Sequence, residues 1–130
     1  RVTEALRFRV GHNLPVVNQN VTVREACEVN QAGRRAGAVL LVDDAGRLTG
    51  IFTDGDLRRL VLKERDGMSR AVREVMTARP RHLLTDSLVR DAVRLVQEYR
   101  VDEIPVVDHD GKPVGLIDIQ DLVAMKVVRE

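Results

Sequence analysis

Two pairs of residues have the types and the spacing to hold a small polar ligand. Thr53 and Asp56 stand three apart directly after the apolar pair Ile51-Phe52, and Asp118 and Asp121 stand three apart directly after Leu116-Ile117. A chain that passes there from a buried strand into a helix presents free N–H groups and the positive end of the helix dipole, which suit a phosphate or another anion. A carboxylate one turn in can accept two hydrogen bonds from a ribose diol, and a hydroxyl three residues earlier can bond a phosphate oxygen or the sugar. Arg58 and Arg59, one turn on, could add positive charge to the first set. The local alternative is that these residues are helix caps, a common role for Thr and Asp. For Asp118 a cap, or a pair with a nearby Arg, leads over ligand contact.

The two pairs belong to an internal repeat. Gly50-Ile51-Phe52-Thr53-Asp54-Gly55-Asp56-Leu57 returns 65 residues later as Gly115-Leu116-Ile117-Asp118-Ile119-Gln120-Asp121-Leu122. The same offset, extended backwards without a gap, sets Val42-Asp43 on Val107-Asp108, Gly46 on Gly111, Thr22-Val23 on Ser87-Leu88 and Pro15 on Pro80. One supersecondary unit is therefore written twice, as 1–66 and 67–130. A unit of that size is marginal alone, so each is expected to bury its apolar face against the other.

The elements that must position the pairs follow from local signals. Thr22-Val23-Arg24-Glu25 is a capping box, and its helix is expected to run to about Arg35 before Gly37. Val39 to Val42 is a short buried strand, Asp43 to Gly46 a hairpin turn, and Leu48 to Phe52 the return strand. Thr53 or Asp54 caps a helix to about Arg65, and a short helix spans Ser69 to Met76. In the second unit, Leu88, Ala92, Leu95, Val96 and Tyr99 share one helix face. Ile104 to Val107, with Pro105 near its start, and Val114 to Ile117 are strands around the turn Asp108 to Gly111. Asp118 or Asp121 opens a last helix to about Val128.

Composition narrows the function. With 21 basic and 20 acidic residues the net charge is +1, which steers the chain neither to nucleic acid nor to an anionic membrane. Aromatic content of 2% argues against a base-stacking platform. No apolar run approaches the roughly 20 residues of a spanning helix. Cys27 is the single cysteine, so no intrachain disulfide forms, which fits a reducing, cytoplasmic setting; on its helix face it reads as a small buried hydrophobe. His12, His82 and His109 lie in separate segments without ligand spacing, so no metal site is expected. Paired-carboxylate catalysis by Asp54, Asp56, Asp118 and Asp121 is disfavoured, with no His or Cys beside them, and no catalytic residue is assigned. Arg79, Arg81 and His82 are read as solvated. Beginning at Arg1 without an initiator Met or signal peptide, the sequence is expected to be a piece of a longer protein.

The apolar pair followed by Thr, two residues and Asp, written in tandem with Val75-Met76-Thr77 and Ile104-Pro105-Val106-Val107-Asp108, resembles the CBS domain over about Leu14 to Met125. That resemblance implies an α/β fold: a tandem CBS pair (a Bateman module) with pseudo-twofold symmetry and two small sheets flanked by helices, the helices of the two sheets packing on each other. Such pairs bind adenosine nucleotides or related ligands in clefts between their sheets. Carried over by position, the first cleft takes Leu14, Pro15, Ala38, Val39, Thr53, Asp56 and Arg58. The second takes Thr77, Pro80, Ile104, Pro105, Asp118 and Asp121.

More narrowly, Gly50 to Arg59, Asp102 to Val107 and Gly115 to Leu122 resemble the C-terminal CBS region of bacterial D-arabinose 5-phosphate isomerases. Those enzymes carry an N-terminal sugar isomerase (SIS) domain that would hold the catalytic residues and serve the route to the lipopolysaccharide sugar Kdo. The resemblance implies a regulatory module for a nucleotide or sugar nucleotide, such as an adenosine nucleotide or CMP-Kdo, acting on an SIS domain and pairing as a homodimer. Asp118 stands where the nucleotide-binding pattern has Thr or Ser, and a carboxylate there repels phosphate. The second cleft is expected to take a nucleoside, a cation-bridged ligand or nothing. The rival readings are a structural dimerisation module with empty clefts, or the CBS pair of another enzyme or transporter.

Overall fold

The two written copies fold into two four-stranded sheets, and each sheet borrows one short strand from the other copy. In the computed structural model the described residues are 1–2, 8–9, 14–30 and 36–124, with the backbone alone at 8, 9, 121 and 124. One compact unit is Pro15–Pro80; the other joins Arg1–Leu14 to Arg81–Glu130. Strand β1 is Phe8–Arg9, β2 Val16–Asn18, helix α1 Val23–Val29, β3 Ala38–Val42, β4 Leu48–Thr53 and α2 Asp54–Lys63. Then come a 3-10 turn Gly67–Ser69, α3 Val72–Val75, β5 Thr77–Ala78, β6 Leu83–Leu84, α4 Val89–Tyr99, β7 Glu103–Val107, β8 Pro113–Asp118 and α5 Ile119–Ala124. The sheet of the 15–80 unit has the order β2-β3-β4-β5, and its counterpart β1-β8-β7-β6. So β5, written in 67–130, serves the first sheet, and β1, written in 1–66, serves the second.

The two hairpins are copies of each other in detail. Asp43 folds its carboxylate onto the N–H groups of Ala45 and Arg47, as Asp108 does onto Asp110 and Lys112. Gly46 and Gly111 both take φ of 83°, a left-handed conformation that glycine adopts without strain. Both ladders slip at the same place, between Leu41 and Val42 and between Val106 and Val107. The parallel partner differs in one bond: the Leu40 N–H meets the Pro15 carbonyl at 2.9 Å, whereas the equivalent Pro105 has no N–H to offer. Pro105 is the third residue of β7, one position before its pairing with β6 begins at Val106.

The ungapped offset of 65 holds for the hairpins and fails before them. The N-cap Thr22 corresponds to Leu88, and the Glu25 that accepts the Thr22 N–H corresponds to Asp91, which accepts the Leu88 N–H: 66 residues in each case. Thr22-Val23 therefore matches Leu88-Val89, not Ser87-Leu88. The second helix begins one residue late, so the distance from its start to the next strand is one residue shorter. This also moves its buried stripe. Ala92 and Val96 are buried with Val89, Val93 and Leu95 packed beside them, while Leu88 and Tyr99, at the helix ends, are exposed.

Other expectations shift for local reasons. Helix α2 stops at Lys63, where Glu64 turns extended. The helix expected over Ser69 to Met76 is broken at Arg70–Ala71, because Ala71 pairs with Thr22 in an isolated bridge and the Val23 N–H bonds the Arg70 carbonyl. Helix α1 ends at Val29 with Asn30 as its C-cap, short of the expected Arg35, and residues 31–35 lie outside the described ones, as does the expected run of the last helix beyond Ala124 to Val128. Each sheet has an apolar core on one face: Val23, Ala26, Val39, Leu41, Phe52, Leu60 and Val72 in one unit, Ala92, Val96, Ile104, Val106, Ile117 and Leu122 among those in the other. At about 1.5–3 kcal/mol per fully buried large aliphatic side chain, these clusters are the main stabilising term.

Candidate functional site

The expected first site is assembled by a strand pair and the helix that follows it. The β3–β4 register sets Ala38 opposite Thr53 and Val39 opposite Phe52. Val39 and Phe52 face the helix-side core, so Ala38 and Thr53 share the other face of the sheet. The Asp54 N–H bonds the Gly37 carbonyl at 3.0 Å, and this fixes the turn from β4 into α2. Thr53 is the N-cap: its Oγ1 accepts the Asp56 N–H at 3.1 Å, and its own N–H donates to Asp56 Oδ2 at 3.0 Å. The hydroxyl is used as an acceptor, so its proton stays available to donate outward. Asp56 Oδ1 accepts from Arg59 Nη2 at 2.6 Å.

Thr53 and Asp56 are thus both caps and a matched polar pair at one helix end. Ala38, Thr53 and Asp56 come together, and Pro15 is tied to β3 through the bond from Leu40. Arg58 is exposed on α2; the arginine that reaches the pair is Arg59. Leu14 belongs to the unit of Arg81–Glu130.

A recess of about 190 Å³ opens on the helix side, lined by Cys27, Asn30, Val39, Phe52, Thr53, Asp54, Leu57 and Met68. It shares only Val39 and Thr53 with the expected first cleft. Asn30 borders it with both amide atoms committed: Nδ2 donates to the Ala36 carbonyl at 2.7 Å and Oδ1 accepts the Ala36 N–H at 3.2 Å.

The second site has the same backbone and different chemistry. The Ile119 N–H bonds the Asp102 carbonyl at 2.8 Å, as Asp54 bonds Gly37 in the first. The register places Glu103 opposite Asp118, in the positions of Ala38 and Thr53. Two carboxylates thus face each other across the strand pair. Asp118 Oδ1 accepts the Gln120 N–H at 2.8 Å, a local turn at the start of α5. Ile104 and Pro105 are buried. The side chain of Asp121 lies outside the described residues. Thr77 pairs with Ile51 in the first sheet, and Thr77 and Pro80 belong to the Pro15–Pro80 unit. Glu103 was missed in the sequence; applying the offset of 65 to Ala38 as strictly as to Thr53 finds it.

Among the described residues no three His, Cys, Asp or Glu side chains gather as metal ligands, and His12 lies outside them. His109 Nε2 is 3.4 Å from Asp86 on the surface. Arg81 is exposed, as expected, and stacks its guanidinium 3.4 Å from the Tyr99 ring centroid, a cation–π contact at the surface. No helix among the described residues is long and apolar enough to cross a membrane.

With this geometry in hand, known proteins give a consistent result. A family model described as CBS domain matches residues 8–63 and 72–127. The arabinose 5-phosphate isomerase KdsD of Francisella tularensis is 31% identical over 121 residues, which cover 92% of this chain and 36% of the relative. KdsD of Pseudomonas aeruginosa is 32% identical over 122 residues, 93% of this chain and 37% of the relative. The chain spans little more than a third of the length of these curated relatives. The crystal structure of CBSX2 in complex with AMP superposes with a TM-score of 0.77 at 27% identity, covering 98% of each chain.

Proposed function

Because the chain belongs to the CBS-domain family, carrying two such domains, we propose that it is a regulatory ligand-binding module whose first site takes an adenosine nucleotide. The supporting observation is the reciprocal Thr53–Asp56 pair beside Ala38 at the end of β4, with Arg59 on Asp56. It offers one outward hydroxyl donor, a carboxylate with lone pairs left for a ribose diol, and a guanidinium for phosphate. The AMP complex of CBSX2 is the precedent for the ligand class. CMP-Kdo is the second ligand to test, suggested by the isomerase relatives.

The parent protein, on this reading, is a D-arabinose 5-phosphate isomerase of Kdo and lipopolysaccharide biosynthesis in the cytoplasm. Its N-terminal SIS domain performs the aldose–ketose chemistry, and the present module, paired as a homodimer, biases it. Ligand binding changes the activity of that domain only through different affinities for two states of the whole protein. Glu103 opposite Asp118 favours a second site that does not take phosphate. Titration calorimetry with AMP, ATP and CMP-Kdo is the test. One AMP per chain is expected, and no heat from any of the three at millimolar concentration would leave a purely structural dimerisation module as the better account.

A further inference from the structure

The geometry points to Arg59 as a latch on the first site, one that makes a nucleotide's phosphate the key to its carboxylate; this rests on the ligand-binding reading above. Asp56 has two oxygens with different duties. Oδ2 is held by the Thr53 N–H as part of the helix cap, and Oδ1 meets Arg59 Nη2 at 2.6 Å. A ribose diol seeking Asp56 therefore competes with a guanidinium for Oδ1. The Asp56 side chain is 19% exposed and that of Arg59 68% exposed, so the arginine is the partner that can move.

A second feature leaves room for the arginine in that place. Gly55, one turn before Arg59, has no side chain, and a Cβ built there would lie 3.3 Å from Arg59 Nη1 and 3.5 Å from Nη2. The guanidinium thus folds back across the bare first turn of α2, towards the N-terminal end of the helix. From there a small swing exchanges one anion for another. A phosphate offers the guanidinium two parallel acceptors and more charge than a carboxylate, and so draws it off Asp56 as the sugar hydroxyls arrive. A nucleoside brings no such anion and must share Oδ1 or strip the arginine from it without replacement. The second unit has no counterpart of the latch, since Gln120 and Ala124 stand in the positions of Gly55 and Arg59.

The test compares AMP with adenosine by titration calorimetry on the 130-residue chain, its Arg59→Ala and Arg59→Lys variants, and Lys63→Ala as a control for lost charge on the same helix. Wild type should prefer AMP. Arg59→Ala should weaken AMP at least tenfold and leave adenosine unchanged or tighter, so the preference collapses. Arg59→Lys should restore part of it, and Lys63→Ala should shift it less than threefold. Equal loss for both ligands in Arg59→Ala, or no loss, overturns the latch while ligand binding stands. Failure of wild type to bind either probe overturns the ligand-binding reading and the latch with it. Unchanged circular dichroism spectra would show that the variants fold.

Discussion

At the end of β4, Ala38 faces Thr53 across the sheet, and the next helix carries Asp56 and Arg59; at the end of β8, Glu103 faces Asp118. The backbone is the same in both places, down to the bond from Asp54 to Gly37 and from Ile119 to Asp102. The polar set has been replaced. A small side chain and a hydroxyl have become two acids at opposed positions of the strand pair. The difference teaches that the fold asks little of these positions. The strand ladders and the main-chain bond into each following helix are the same with either polar set, so the residues at the helix mouth are free to diverge in chemistry.

The strongest way to break the shared half of this comparison is in the core. Phe52 and Ile117 occupy equivalent places, one in each helix-side cluster. Phe52→Ala should cost about 3–5 kcal/mol and Ile117→Ala about 2–5 kcal/mol in denaturant unfolding. A loss below about 1 kcal/mol in one of them would show that the two cores do not carry similar loads.

The differing half is tested by exchange at the site. Asp caps a helix at least as well as Thr, so Thr53→Asp should leave stability nearly unchanged. Its AMP affinity should nonetheless fall at least tenfold, about 1.4 kcal/mol. Asp118→Thr alone should gain no AMP binding, because Glu103 still faces the site. Glu103→Ala with Asp118→Thr is the variant expected to open it. Binding restored by Asp118→Thr alone would make the opposing glutamate irrelevant.

The helices before the hairpins offer a smaller contrast. Thr22 closes a complete capping box, whereas at Leu88 only the half made by Asp91 exists. Thr22→Ala should cost about 1 kcal/mol, and Leu88→Thr should gain about 0.5–1 kcal/mol. Thermal melts of the two variants should move in opposite directions. A Leu88→Thr chain no more stable than wild type would mean that exposed Leu88 contributes packing that the cap does not replace.

Much of this was legible in the sequence because its signals are local. The capping box at Thr22, the aspartate–glycine turns and the apolar pair before Thr53 each act within a few residues, and each folds as read. Non-local facts were less legible. The slip from 65 to 66 at Leu88 leaves no mark in composition, since Ser87 looks like the better cap; yet its Oγ accepts the Leu84 N–H instead. The strands β1 and β5 are two residues long, too short for any periodicity, and their pairing with the other copy's sheet depends on long-range hydrogen bonds. At the site, Thr53 and Asp56 were visible as a spaced pair. Arg59, three residues from Asp56, was the arginine that helix spacing sets against it, whereas Arg58, two residues away, cannot face it; naming Arg58 for the cleft overlooked that spacing.

The smallest expected effect probes that last distinction. Gly55→Ala replaces a poor helix former by the best, a gain of up to about 1 kcal/mol. Its new Cβ presses on Arg59 at 3.3 Å, and an exposed arginine yields by turning away. The Asp56–Arg59 pair, three apart on a helix surface, is worth about 0.2–0.5 kcal/mol, so its loss subtracts less than the substitution adds. Net stability should rise by about 0.5 kcal/mol, with a modest rise in Tm. With the guanidinium moved off Oδ1, adenosine should bind slightly tighter while AMP changes little, because phosphate draws the arginine away in any case. If Gly55→Ala is instead destabilised by more than about 1 kcal/mol, the bare first turn serves the packing of α2, and the asymmetry between Gly55 and Gln120 belongs to the scaffold.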